Sequence, residues 1–393
     1  MNSELHLIII WHTAKSQYES IIQTLNSKFK ILGVYEVFWD KECFVDNLIK
    51  FYSHSQFHLN PRKMKRMFRG KAKYCGIGSF YLIVFNDNMP EYAERSTSSG
   101  NREVNINIFD LKQRLRILTG GGHKIHATDS EAETNKDLTL LLGMNTTDYL
   151  RSHVSDWNNE ISVIYRNITG SGGYDSLESF LYVLNSSLEY VVLRNFEQYP
   201  ERYSSNEHGD IDLLVTNIKL LKHLSGAEKI YKRKHRVHYK VRISDKDVYF
   251  DFRHIGDDYY DKQWEMQILK TRILKDNLFY VPDEINYYYS LLYHAILHKP
   301  FLTHEYEGRL LKGLNQNIAQ DHYSPDSSKH LFQKLVLFMS DNNYKYVVPR
   351  DISVYFNSKY LKELGGIRVG MTRRIRQLVI DRRLYLAKVI RGE

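Results

Sequence analysis

The sequence predicts an α+β protein: two α/β units followed by a helical, basic C-terminal region. Three observations carry this expectation. Apolar strand-like runs alternate with helical ones over residues 5–143 and again from Leu177 onward. A polar stretch at 145–173, rich in Asn and Gly and closing on Thr169-Gly170-Ser171-Gly172-Gly173, separates the two series. Beyond Trp264 the chain turns mostly helical. At roughly 150 residues per domain, 393 residues suffice for two or three cores. The expected domains are 1–145, 160–265 and 266–393.

In the first unit, Leu5–Trp11 reads as a strand, Ser16–Phe29 as a helix and Ile31–Phe38 as a strand. Asp40–Phe51 follows as a helix, then a basic helical segment at Asn60–Phe68. Phe80–Phe85 reads as a buried strand, Asn88–Arg102 as a polar loop, Val104–Phe109 as a short strand and Ser130–Leu142 as a helix. That order suggests a split β-α-β sandwich, an antiparallel sheet with helices on one face. The second unit has a helix at Leu177–Asn185, strands at Tyr190–Arg194 and Ile211–Val215, a helix at Ile218–Leu224 and a strand at Val248–Arg253. Ile285–His298, a continuous band of Tyr and Leu, suits a core helix.

Composition narrows the function classes. Aromatics at 13% and only seven prolines argue against disorder. The longest apolar runs, Leu7–Trp11 and Phe80–Phe85, fall far short of the roughly 18–20 residues of a membrane helix. Glu4 sits where a signal peptide wants positive charge, so a cytoplasmic protein is expected. Cys43 and Cys75 cannot build a disulfide framework and share no metal-ligand spacing. The net charge of +9 is concentrated at the end, where Ile367–Arg391 carries eight basic residues against Asp381 alone. The near-neutral remainder predicts no specific nucleic-acid surface. Met371, Ile375, Leu378, Val379, Leu386 and Val389 share one face of this tail. A solvated helix with one docked face is preferred, and a helix lying on an anionic membrane or against a partner is the alternative.

Chemistry concentrates in two places. In Glu207-His208-Gly209-Asp210-Ile211-Asp212-Leu213-Leu214-Val215, the two aspartates at i and i+2 open an apolar strand and point to one face. A third, Asp251, interrupts the aromatic strand Val248-Tyr249-Phe250-Asp251-Phe252-Arg253 and is costly to bury without a partner. If the two strands are neighbours, Asp210, Asp212 and Asp251 form an oxygen-rich site for Mg²⁺ carrying an NTP. The competing reading is a strand-entry turn with Asp capping.

This arrangement resembles the nucleotidyltransferase superfamily with the polymerase-beta-like fold, specifically its divergent bacterial members. The resemblance covers about Leu177–Lys299 and rests on Leu193-Arg194-Asn195-Phe196-Glu197, on the Gly-Asp-Ile-Asp-Leu-Leu-Val strand and on the Phe-Asp-Phe-Arg strand. It implies a mixed-sheet domain and Mg²⁺-dependent nucleotidyl transfer from an NTP. Asp210 and Asp212 would be metal ligands, and Asp251 the third ligand and base-like activator of the acceptor hydroxyl. Where the family has a Gly-Ser or Gly-Gly pair, this chain has Arg194-Asn195, so a guanidinium stands in for an amide nest at the triphosphate. The acceptor is unidentified. A sugar or alditol phosphate in surface-polysaccharide assembly follows by analogy.

The second place is Lys124-Ile125-His126-Ala127-Thr128-Asp129-Ser130, followed by Glu131 and Glu133. It resembles the phosphohistidine segment of nucleoside diphosphate kinases, over roughly Leu5–Gly143, and implies a ferredoxin-like fold. His126 would be the nucleophile, with Arg114 or Arg116 and the amides of 120–122 at the phosphates. Trp11-His12-Thr13-Ala14 replaces the family's Ile-Lys-Pro-Asp, and His123 replaces its asparagine. A degenerate domain is therefore expected over an active kinase. Phosphotransfer through His126, and a non-catalytic nucleotide-binding scaffold, are the alternatives to nucleotidyl transfer. His294 and His298, at i and i+4, lack an intervening Glu, so core packing is expected there rather than zinc.

Overall fold

The computed structural model describes residues 3–56, 61–97, 100–153, 157–200, 203, 210–314, 327–357, 360 and 369–391. It is a mixed α+β protein of two compact units: 1–188 with 219–227 and 242–246, and the remainder.

The first unit begins with β1 (Glu4–Ile10), α1 (Tyr18–Asn26) and β2 (Lys30–Phe38), followed by α2 (Phe44–Phe51), α3 (Ser53–Gln56) and α4 (Pro61–Cys75). Then come β3 (Phe80–Asp87), the hairpin β4 (Tyr92–Thr97) and β5 (Gly100–Asn105), α5 (Ile106–Leu118) and β6 (Ile125–Ala127). α6 (Glu131–Leu142), α7 (Thr146–Ser152), β7 (Ser162–Tyr165) and α8 (Leu177–Asn185) complete it. The sheet order is β6-β1-β3-β2-β7, antiparallel throughout except between β2 and β7. β1 and β3 lie inside this sheet with Ile8 paired to Ile83, and their runs are almost wholly buried rather than alternating. One face packs Ile8, Ile10, Ile83 and Phe85 against Ile21 and Leu25 of α1 and Ile108 and Leu111 of α5. Helices cover the other face as well, where a single layer was expected. There His126, paired with Ile9, bonds to α6 and meets the rings at the end of α2.

Several elements differ from expectation for local reasons. Val104–Phe109 is not one strand, because the Asn105 side chain accepts from Ile108 N at 3.4 Å and starts α5. The polar segment before it forms the β4–β5 hairpin, with 98–99 outside the described residues. Asn60 also lies outside them, but α4 is a docked helix: Met64, Phe68 and Ala72 are buried, while Arg62, Lys63, Lys65 and Arg66 face water. The stretch at 145–173 does not end the first unit, since β7 adds to the sheet beside β2 and Tyr165 stacks on Phe38. Its end falls at Leu188, so α8 belongs to the first unit. At the β2 bulge, a Cβ on Gly33 would sit 2.5 Å from Tyr149 Oη, which only glycine avoids.

The second unit starts at β8 (Tyr190–Val192) and β9 (Ile211–Val215); α9 (Ile218–Ser225) falls with the first unit from Lys219 on. β10 (Glu228–Lys229), β11 (His238–Ile243) and β12 (Lys246–His254) complete a sheet of order β10-β11-β12-β9-β8, in which β12 and β9 run parallel. α10 (Lys262–Lys270), the hairpin β13 (Ile273–Lys275) and β14 (Phe279–Val281), α11 (Glu284–Leu297), α12 (His304–Leu314), α13 (Ser327–Asp341) and α14 (Met371–Arg391) follow. The expected helical C-terminal third is thus present but shares one core with the strands: Val191 and Leu214 pack with Trp264, Tyr260, Leu292 and Leu335. α11 is a core helix, capped by Asp283 accepting from Asn286 N at 2.8 Å.

Glu265 of α10 is fully buried, accepting from Gly256 N at 2.6 Å and Tyr260 N at 3.3 Å. Burial, and then the neighbouring Asp257, push its carboxyl up to about 9. The folded chain therefore keeps a proton that the unfolded chain releases near pH 4.5, so this contribution to stability is lost as pH climbs toward 9. Urea unfolding at pH 6, 7 and 8 should show stability falling by up to about 1.4 kcal/mol per pH unit from this group. Glu265→Gln should flatten that slope; an unchanged slope would refute the assignment.

Candidate functional site

The site is built on the parallel pair β9 and β12, which sets Asp251 directly beside Asp212 in register. Register partners point to the same face, and Asp210, two residues earlier, joins them. Glu207–Gly209 lie outside the described residues. The third side chain that closes on Asp210 and Asp251 is His238 of β11. One ligand atom from each of the three lies within 4.8 Å of the other two. Asp251 Oδ1 and His238 Nδ1, 3.6 Å apart, are both buried and lack a hydrogen-bond partner among the described residues. His238 Nδ1 also faces Asp351 Oδ2 at 3.8 Å.

The acids feel their crowding. Burial pushes the Asp251 carboxyl up to about 6, with Arg253 opposing and Asp212 adding to the rise. Asp210 is raised as well, by burial first, against His238 and with Asp212. Two carboxylates whose charged forms are disfavoured by burial and by one another, beside an imidazole, form a set that gains from a bound cation.

Asp212 is placed differently from the expected metal ligand. Its Oδ1 accepts from Arg194 Nη2 at 2.7 Å and lies 3.7 Å from Arg253 Nε. Arg253 also meets Asp251 Oδ2 at 3.2 Å and Asp257 Oδ2 at 3.7 Å, and lies 3.5 Å over the Tyr259 ring. Asp212 is thus an anchor for two guanidinium groups. Arg194, expected at the triphosphate, is buried and also donates to Tyr259 Oη at 2.9 Å and Tyr260 Oη at 3.4 Å. Asn195, with φ of 60°, accepts from Arg309 Nη1 at 2.7 Å and is likewise engaged within the unit. Lys299, half-buried and without an ion pair among the described residues, feels the charges of both Arg194 and Asp212. It is the more available cation. His294 accepts from Tyr259 Oη at 2.5 Å and meets Tyr306 Oη at 3.1 Å, and burial lowers its pKa well below the usual range, so it stays a neutral core residue.

His126 occupies a separate site in the first unit. Its Nε2 donates to Asp137 Oδ2 at 2.8 Å, and Phe51 and Tyr52 close over the ring edge-on at 5.1 and 5.4 Å. Lys136 Nζ pairs with Asp137 Oδ1 at 2.9 Å and donates to His54 Nδ1 at 2.6 Å, while His54 Nε2 lies 3.6 Å from Glu133 Oε1. Ser130 caps α6 at Glu133 N. Burial, opposed by Asp137, lowers the His126 pKa. The imidazole is enclosed and bound to a carboxylate, and one ligand atom each from His126, Glu133 and Asp137 lies within 4.8 Å of the other two. Arg116 Nε donates to Ile125 O at 3.4 Å, and Arg114 is exposed on α5.

His238 escaped sequence reasoning because Lys232-Arg233-Lys234-His235-Arg236 hides the start of β11; the alternation Val237, Tyr239, Val241 was its only signal. Arg253 was detectable, two residues after Asp251 on one strand face. No family model matches this chain, and no curated protein matches it.

Asp137→Ala should lower unfolding free energy by about 3–5 kcal/mol, because it strands His126 and Lys136 in a buried setting. Chemical denaturation measures this, and adding Lys136→Met should recover part of the loss. A loss under about 1 kcal/mol would remove the structural role.

Proposed function

We propose that the second unit carries a Mg²⁺-dependent nucleotidyl-transfer centre that takes an NTP as donor and a hydroxyl of a sugar or alditol phosphate as acceptor. The observation that carries this reading is the convergence of Asp210, Asp251 and His238 beside the β9–β12 pairing, with Asp251 Oδ1 and His238 Nδ1 buried and without a hydrogen bond among the described residues. The donor set fits a divalent ion: Asp210 and Asp251 offer the oxygens that Mg²⁺ prefers, and the His238 nitrogen would favour Mn²⁺ in its place. The split β-α-β strand order of the first unit is consistent with a ferredoxin-like domain, and the mixed sheet of the second with the nucleotidyltransferase resemblance.

When bound, the ion supplies charge neutralisation for the departing pyrophosphate. The chain's own residues do the rest. Asp210 and Asp251 would hold the ion with His238 beside them. Asp251 would also take the acceptor's proton. The acceptor oxygen forms its bond to the α phosphorus as the bond to the β-phosphate oxygen breaks, releasing pyrophosphate. Asp212 keeps Arg194 and Arg253 charged and fixed behind the acids, and Lys299 is the cation available to the polyphosphate.

Protein supplied with Mg²⁺, NTPs labelled separately at the α and γ phosphorus, and a cell extract as acceptor source tests this. The α label should move to an acceptor, and EDTA should stop it. Asp251→Asn and Asp210→Asn should each lower the rate at least about a hundredfold. The Asp251→Asn fold should survive, because Arg253 keeps Asp212 and Asp257. Movement of the γ label alone, or nucleotide binding with no turnover, would overturn the proposal.

A further inference from the structure

The C-terminal helix is docked with its polar side inward. Arg373 is buried and donates to three backbone carbonyls: Val354 O at 2.8 Å, Asp351 O at 2.9 Å and Pro349 O. One turn on, the buried Gln377 accepts from Phe356 N at 3.4 Å, and one turn further Asp381 accepts from Tyr355 Oη at 2.8 Å. Residues 373, 377 and 381, spaced by four, thus form the seam that holds α14 against the segment 349–357.

This inverts the usual arrangement of a surface helix, in which the apolar stripe faces the core. Met371, Ile375, Leu378 and Val379 are between 48% and 78% exposed. Arg374, Arg382 and Arg383 are exposed among them, and Asp381, the one acid of the helix, is already engaged by Tyr355. Apolar side chains offered to solvent by a helix that is fixed through its polar residues cost hydration free energy unless something covers them.

We propose that the outward face of α14 is a docking surface for an anionic lipid bilayer. The charge pattern selects this occupant. On a helical projection Arg382 falls in the middle of the stripe made by Met371, Ile375 and Leu378. In a protein groove that guanidinium would be buried and need a carboxylate. At a bilayer its stem lies along the acyl boundary while the head reaches lipid phosphates. Arg374 and Arg383 flank the stripe on opposite sides, as in helices that lie in the interface plane. No helix among the described residues is long and apolar enough to cross a membrane, so the helix would lie on the bilayer. The inference is independent of the acidic site.

Sedimentation of the full-length protein with vesicles tests it. Binding to a phosphatidylcholine–phosphatidylglycerol mixture should exceed binding to phosphatidylcholine alone, and should weaken as salt rises. Arg382→Gln with Arg383→Gln should lower partitioning about fivefold per arginine. Leu378→Ser should lower it about tenfold. None of these changes touches the Arg373–Gln377–Asp381 seam, so an unaltered circular dichroism spectrum is expected. Absence of binding to the anionic vesicles, equal binding to both vesicle types, or variants that bind like the parent would overturn the proposal. So would self-association that Leu378→Ser abolishes, since the stripe would then be covered by a second copy.

Discussion

The second unit depends on one buried electrostatic arrangement: Asp212 held between Arg194 and Arg253. Removing three ionised groups from water carries a desolvation penalty that simple pairing seldom recovers. Here each guanidinium has additional partners. Arg194 donates to two tyrosine hydroxyls, and Arg253 lies on the Tyr259 ring while reaching Asp251 and Asp257. Tyr259 then passes the order outward to His294, which is packed in the interior of α11. Removing Asp212 would take from Arg194 its one carboxylate partner among the described residues and from Arg253 one of three, which is why strand, loop and helix meet around this residue.

The same arrangement distributes charge unevenly among the three aspartates. Asp212 commits its Oδ1 to Arg194 and Arg253. Asp251 shares Arg253 with two competitors, so its second oxygen is left facing His238 and Asp210. Neutralising one acid with arginine therefore frees its neighbours for other chemistry.

This division of labour bounds what could be read in advance. The strands carrying Asp212 and Asp251 were legible because a carboxylate set into an apolar run is costly to bury unless it has a partner or a ligand. That they are neighbours was a condition on the site, and the parallel pairing meets it. The partners of each acid were not legible: His238 sits in a strand masked by basic residues, and Asp351, which faces it, is more than a hundred residues away in sequence. In the first unit the central strands and α6 were legible from continuous apolar runs and a Ser130 cap. β7 was not, since it is a short, mostly exposed edge strand inside a polar segment and gains its place from pairing with β2.

His126 shows the limit from the other side. A histidine near Asp and Ser at a helix entry reads as chemistry in sequence, yet its role depends on what closes over it. Phe51 and Tyr52 come from about seventy residues upstream and remove the ring from solvent, while Lys136 neutralises the carboxylate that holds it. The tail reverses this relation. There apolar residues that local pattern would send inward are left in water, because Arg373 finds three carbonyls that outcompete them for the docking seam. In both places the residue type proposes a role, and tertiary competition for buried hydrogen-bond partners assigns it.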